Sequence, residues 1–155
     1  MICYDESAGG RHALVEAGRL FPGAHATIVY VWKPPAPLVV GGPSSGAGAA
    51  VNPEFEDETG NRIEGDASRR ADELWESTRS EAEGVGLNAE IDVRQATRAV
   101  WRELLAAADE HDADIIVIGA RGHGEVGALL LGSTAEALAH RSKRPVLIVR
   151  SPTDD

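Results

Sequence analysis

The strongest constraint on the fold is a run that is apolar at every position, Ile115-Ile116-Val117-Ile118. A strand with one face in water would alternate apolar and polar residues, whereas an uninterrupted β-branched run indicates a strand that is covered on both faces. Such strands are typical of parallel sheets that carry helices on each side. The run therefore predicts an α/β protein.

Strand and helix patterns alternate along the rest of the chain. Apolar runs predict further strands at residues 2–4, 27–32, 87–93 and 145–149. Apolar residues at helical spacing predict helices after a Ser7 cap, at about 66–84, at about 100–108 and from 133 to about 140. Five strands with helices between them predict a single doubly wound, Rossmann-like domain with a five-stranded parallel sheet and helices on both faces.

The length of 155 residues suits one domain, which we expect to span residues 1–150 and to leave a short tail at 151–155. A segment at about 34–65 interrupts the pattern. Its first part, residues 34–53, contains five Pro and four Gly and no charged residue. This composition predicts a flexible insertion.

Charge and cysteine content exclude several classes of function. The formal net charge of −10 argues against nucleic acid and against an anionic membrane surface as partners. A single cysteine excludes an internal disulfide, and no zinc-ligand spacing is present, so no metal site is predicted. No apolar run approaches 18 residues, and the N-terminus lacks a basic region followed by an apolar stretch. We therefore expect a cytoplasmic protein.

A glycine-rich turn follows the buried run. Gly119 and Gly122 come after the strand, and Gly132 precedes the Ser133 and Thr134 that open the last helix. Ligands of doubly wound sheets bind outside the carboxyl ends of the strands, and a helix N-terminus favours an anion. We expect the N–H groups of Gly132, Ser133 and Thr134 to hold a phosphate.

The same residues leave a second interpretation open. The order Ser133-Thr134-Ala135-Glu136 is also that of a capping box, which serves helices without any ligand, and the glycines would then only form a tight turn. The turn is neither a Walker A loop nor a G-x-G-x-x-G dinucleotide fingerprint.

The spacing Gly119-x2-Gly122-x9-Gly132-Ser133 resembles the nucleotide signature of the ATP-binding branch of the universal stress protein family. Asp5 after the first strand, Val31 at the end of the second and the closing strand 145–149 fit the same family. The resemblance covers roughly residues 2–150 outside the insertion. It implies a sheet of order 3-2-1-4-5 and bound ATP, ADP or AMP, with or without Mg²⁺.

The resemblance also implies which residues meet the nucleotide. Asp5 and the backbone of Tyr4 would lie at the nucleoside, and the backbone of Val31 at the adenine edge. The remaining contacts, to ribose and phosphates, would come from Gly119, Arg121, Gly122, Gly132, Ser133 and Thr134.

A homodimer is the expected assembly. Members of the family commonly pair their last strands. In this chain the last strand comprises Val146, Leu147, Ile148 and Val149. An apolar strand at the edge of a sheet would otherwise be an exposed template for aggregation.

No catalytic residues are predicted. The motif has no Walker-type lysine, no general base close by and no pair of acids, so fast phosphoryl transfer lacks its parts. The sequence favours a regulatory stress-response protein that binds ATP and hydrolyses it slowly at most. The alternative is an ATP-independent stress protein that binds partners and in which the glycine turn is structural.

Overall fold

The computed structural model describes residues 1–33, 75–122 and 131–151. Its strands pair in parallel in the order β3-β2-β1-β4-β5. They are β1 (Ile2–Tyr4), β2 (His25–Trp32), β3 (Asn88–Gln95), β4 (Ile116–Gly119) and β5 (Val146–Val149). The predicted doubly wound sheet is thus confirmed, and its order is the one that the resemblance implies.

Within the described ranges, four helices connect or flank these strands. They are α1 (Ala8–Leu20), α2 (described over 75–84), α3 (Val100–Glu110) and α4 (Ser133–Arg141). Three predicted features lie outside the described residues. They are the start of α2 near residue 66, the insertion at about 34–65 and the tail beyond Ser151.

Helix α1 begins where the sequence predicted. The Ser7 hydroxyl accepts a hydrogen bond from the N–H of Gly10 at 3.0 Å, which makes Ser7 the N-cap. At the end of the helix, Leu20 is 43% exposed, and the small Gly18 lies against Val85.

The sheet separates two apolar cores. On one face, α1 and α2 pack against alternate strand residues such as Ile2, Ile28 and Val117. On the other face, α3 and α4 pack against the residues between them, such as Cys3, Val29 and Ile118. This division follows from right-handed crossovers, because the chain first moves outward from β1 to β3 and then returns to the other side of β1. The topological switch point therefore lies between β1 and β4.

The outer strand β3 carries Glu90, Asp92 and Arg94 at alternate positions. Arg94 lies 2.6 Å from carboxylate oxygens of both Asp92 and Glu110, so the edge is charged rather than apolar. Charged side chains of this kind discourage pairing with another chain. No helix within the described ranges is long and apolar enough to span a membrane.

Candidate functional site

The candidate site lies at the carboxyl ends of β1 and β4, the two strands that flank the switch point. Cys3 pairs with Ile118, so the two strands end at the same level of the sheet. Asp5 leaves β1 at this edge, and the turn formed by Ala120, Arg121 and Gly122 leaves β4. The first turn of α1 and the first turn of α4 complete the edge.

Ser7 fixes the carboxylate of Asp5. Oδ1 of Asp5 accepts the N–H of Ser7 at 3.1 Å and also the Ser7 hydroxyl. The chain reaches this arrangement through Glu6, whose φ of 61° lies in the left-handed region and turns the backbone sharply. Sequence reasoning identified Ser7 only as a cap. The Asp-x-Ser spacing, which is typical of turns closed by an aspartate side chain, is the signal that could have revealed the second contact.

Glycines let the first turn of α1 approach the end of β4. A Cβ on Gly119 would lie 2.6 Å from the carbonyl carbon and oxygen of Gly9. A Cβ on Gly9 would in turn overlap the carbonyl oxygen of Arg121. Backbone therefore meets backbone here, and neither position has space for a side chain.

Two more glycines enclose the Asp5 carboxylate. A Cβ on Gly10 would lie 2.7 Å from Oδ1, and a Cβ on Gly122 would touch Oδ2. Among the glycines that the structure describes, only Gly23 and Gly86 have left-handed φ values. Close approach, not a positive φ, is therefore what requires glycine at position 122.

The N-terminus of α4 is bound to the same turn, and here the structure corrects the prediction. We expected the N–H of Gly132 to be available to a phosphate, but it donates to the carbonyl oxygen of Ala120 at 2.8 Å. A Cβ on Gly132 would be 3.6 Å from the Cα of Arg121. Gly132 thus joins α4 to the turn after β4 and brings Ser133 and Thr134 to it.

The capping box does not form. The N-cap of α4 is Gly132, which has no side chain that could make a cap hydrogen bond. Ser133 is therefore the first helical residue, one position too late to cap, and Glu136 lies beyond the position that would complete the box. The N–H groups of Ser133 and Thr134 lie in the first turn, where no intrahelical acceptor exists. They and the helix dipole face the carboxyl edge of the sheet.

The two predicted residues on the adenine side lie on neighbouring strands. Tyr4 is buried, and its hydroxyl is 3.4 Å from Oε2 of Glu81 on α2, so only its backbone reaches the site. Burial and then the charge of Glu81 raise the pKa of the Tyr4 hydroxyl. Tyr4 pairs with Tyr30, and Val31 therefore follows at the level of Asp5 on the next strand.

The structure thus brings most of the predicted residues together. Direct contacts or a shared helix turn link Asp5, Gly119, Arg121, Gly122, Gly132, Ser133 and Thr134. Val31 is one strand removed. Residues 123–130 of the glycine-rich turn lie outside the described part of the chain.

The described residues of the site include neither a metal-ligand cluster nor a reactive thiol. Across the ranges that the structure describes, no group of three or more His, Cys, Asp and Glu residues could hold a metal ion. Cys3, two residues before Asp5, is buried, and burial raises the pKa of its thiol to about 12. The thiol therefore stays protonated near neutral pH and is no nucleophile.

Residues 1–150 match the model of the Universal stress protein family. A "Universal stress protein/" of Mycolicibacterium smegmatis is 33% identical over 114 residues, which are 74% of this chain and 35% of that protein. Universal stress protein MJ0577 of Methanocaldococcus jannaschii is 29% identical over 97 residues, 63% of this chain and 56% of its own length. The chain thus spans between about a third and just over half of the curated relatives that it matches.

Solved structures have the same fold. The structure of MJ0577 matches with a TM-score of 0.70 at 21% identity and covers 97% of this chain and 93% of its own. A universal stress protein in complex with cAMP matches with a TM-score of 0.60 at 24% identity, over 96% and 93%. One from Archaeoglobus fulgidus in complex with dAMP gives 0.51 at 21%, over 96% and 98%.

Proposed function

The chain belongs to the universal stress protein family, and from this membership we propose that it binds an adenine nucleotide, with ATP as its ligand and ADP or AMP as shorter alternatives. The observation that carries the proposal is the N-terminus of α4, whose N-cap Gly132 has no side chain and joins the helix to the turn after β4. The N–H groups of a first helical turn and the positive end of a helix dipole favour a phosphate. The alternative is an ATP-independent stress protein that binds partners and in which the glycine turn is structural; it predicts a protein that does not bind ATP.

Each part of the edge would meet a different part of the nucleotide. The N–H groups and hydroxyls of Ser133 and Thr134 would donate to phosphate oxygens. The turn at Gly119, Arg121 and Gly122 would line the ribose and the first phosphate, because glycines there allow backbone to come close. Asp5 would accept from donors of the nucleoside, and the backbone of Val31 would meet the edge of adenine.

Two structural neighbours support this assignment. Their complexes contain cAMP and dAMP, and each ligand combines an adenine nucleoside with one phosphate. The extension to a triphosphate rests on the resemblance of the glycine spacing to the ATP-binding branch of the family. Mg²⁺ would be held by the phosphates, water and the Ser133 hydroxyl, since it needs few protein ligands.

Bound nucleotide would act as a regulatory ligand in a stress response and not as a rapidly consumed substrate. The sequence from Gly119 to Thr134 contains no lysine, so we expect hydrolysis to be slow. A turnover above about 1 s⁻¹, the low end of ordinary enzyme rates, would contradict this part of the proposal.

The proposal extends to the setting and the assembly. Residues 1–150 would form one domain around the sheet, with the segment at about 34–65 as an insertion. The cytoplasm would supply the adenine nucleotide. A homodimer would form through β5, because Val146–Val149 is the second edge of the sheet and consists of apolar residues.

The test is to identify what the purified protein carries. The protein is denatured, and any released nucleotide is identified and quantified by mass spectrometry. Nucleotide-free protein is titrated with ATP in parallel. Stoichiometric ATP, ADP or AMP supports the proposal, and a protein that arrives empty and does not bind millimolar ATP overturns it.

A further inference from the structure

The side chain of Ser7 makes two hydrogen bonds at once, one as a donor and one as an acceptor. Its hydroxyl oxygen accepts the N–H of Gly10 at 3.0 Å, and its single hydroxyl proton goes to Oδ1 of Asp5. A hydroxyl has one proton to donate, so the two contacts together fix its rotation. The backbone N–H of Ser7 adds a second donor to the same oxygen at 3.1 Å. Because Ser7 is buried, water does not replace these bonds.

The two oxygens of Asp5 consequently have different surroundings. Oδ1 is directed into the start of α1 and packs against Gly10, where a Cβ would lie 2.7 Å away. Oδ2 lies beside Gly122, in the turn that leaves β4, where an added Cβ would overlap it. Ser7 and two glycines therefore contribute to fixing the plane of the carboxylate.

We propose that Ser7 is a positioning residue that selects ribose: by holding Oδ1 of Asp5, it aims Oδ2 along the Gly122 turn at a hydroxyl of the bound nucleoside. This role rests on the proposed function. A carboxylate only accepts hydrogen bonds, so its partner on the ligand must be a donor. On the Gly122 side, where the ribose would lie, the donors of an adenine nucleotide are the 2′- and 3′-hydroxyls.

The experiment compares ATP with 2′,3′-dideoxy-ATP, which lacks both hydroxyls. Their dissociation constants are measured by calorimetry for the wild type and for Ser7→Ala, Ser7→Gly and Ser7→Thr. Glycine remains a fair N-cap without a hydroxyl, so Ser7→Gly separates the loss of the hydroxyl from the loss of the helix cap. Ser7→Thr keeps both and is the rescue variant.

We expect the wild type to bind ATP about tenfold or more tightly than the dideoxy analogue, as a hydrogen bond to a charged group warrants. In Ser7→Ala and Ser7→Gly this ratio should fall toward one, chiefly through weaker ATP binding. Ser7→Thr should restore it.

Two results would overturn the role of Ser7. The first is an unchanged ratio in Ser7→Gly, and equal losses for both ligands would then mean a structural role. The second is a wild type that binds both ligands equally well. The last result leaves the proposed function intact, because ATP is still bound. A wild type that binds neither ligand removes the proposed function, and the role of Ser7 with it.

Discussion

At the scale of single residues, two glycines of the motif leave different amounts of space for a side chain. Gly122→Ala would push a methyl group onto Oδ2 of Asp5, whereas the methyl group of Gly132→Ala would meet the Ala120 oxygen at 3.3 Å. We expect Gly122→Ala to lower ATP affinity at least about tenfold, through displacement of a charged hydrogen-bond acceptor. Gly132→Ala should cost less, because a shift of a few tenths of an ångström accommodates it.

Calorimetric titration of both variants with ATP measures this difference. Circular dichroism at the titration temperature serves as the control that each variant is folded. Equal affinities in the two variants would show that the Asp5 carboxylate is not part of the binding surface.

Gly119 has a structural task that a second substitution can isolate. A Cβ at Gly119 would lie 2.6 Å from backbone atoms of Gly9, which cannot rotate away. Overpacking of this kind costs about 1–3 kcal/mol, so we expect Gly119→Ala to lower the free energy of unfolding by that amount. Gly84→Ala is the matched control, since nothing lies within 4 Å of its Cβ on α2, and it should raise stability by up to about 1 kcal/mol.

Urea denaturation monitored by circular dichroism gives both values. A Gly119→Ala variant as stable as the wild type would contradict the close contact between α1 and the end of β4.

Sequence reasoning anticipated the glycines of the motif but not the reason for each. Spacing alone identified Gly119, Gly122 and Gly132, yet it assigned a free N–H to Gly132, whose N–H binds the Ala120 oxygen. The partnership of Ser7 with Asp5 depends on the left-handed Glu6 between them. A glutamate gives no sign of that conformation in a sequence, because non-glycine residues seldom adopt it.

At the scale of secondary-structure elements, the start of α3 contains an ionic cap that makes stability depend on pH. Hydrogen bonds from Arg98 and Thr97 to the Glu103 carboxylate, at 3.2 and 3.0 Å, lower its pKa from 4.5 to about 2. A lowered pKa in the folded state stabilises the protein above the unfolded pKa. That contribution is present above pH 4.5 and is lost as the pH falls toward 2.

We therefore expect the stability difference between the wild type and Glu103→Gln to be constant near neutral pH and to shrink between about pH 4.5 and pH 2. Urea denaturation over a pH series measures it. In an Arg98→Ala background the same difference should vary less with pH. A difference that is independent of pH would contradict the ionic cap.

The start of α4 illustrates why element boundaries resist prediction. The pattern Ser-x-x-Glu suggests a cap at Ser133, but the hydrogen bond of Gly132 to Ala120, in the turn after β4, sets the N-cap one residue earlier. A tertiary contact decides the boundary, and local sequence does not contain it.

At the scale of the whole molecule, the outer edge of β5 is the surface on which the proposed dimer depends. The carbonyls of Pro145 and Val149 accept from Ile116 and Ala120, so alternate residues of β5 face β4. By the same alternation, the N–H groups of Val146 and Ile148 point away from the sheet. An outward N–H can be removed without breaking the pairing of β5 with β4.

We expect Ile148→Pro to convert the dimer into a monomer of 16.4 kDa, because proline removes an outward donor and blocks strand pairing. Ile148→Ala is the matched control, since it also loses the side chain but keeps the N–H. Sedimentation equilibrium measures both masses. A dimer that survives in Ile148→Pro, or a wild type that is monomeric, would contradict assembly through this edge.

The overall architecture was the most predictable part of the molecule. The apolar run before Gly119 and the alternation of strand and helix patterns predicted a parallel sheet. Burial on both faces requires an apolar side chain at every position of the strand, and that pattern is visible in a sequence. The order of the strands came from the resemblance and not from the patterns, since period and propensity say nothing about which strands are neighbours.

The most direct test of nucleotide binding is an equilibrium titration of nucleotide-free protein with ATP, with GTP as the control for the base. We expect saturable binding of one ATP per chain. Because the backbone of Val31 would meet the adenine edge, GTP should bind at least about tenfold more weakly. Absence of any ATP binding at millimolar concentration would contradict the central claim and leave the turn after β4 as a purely structural connection.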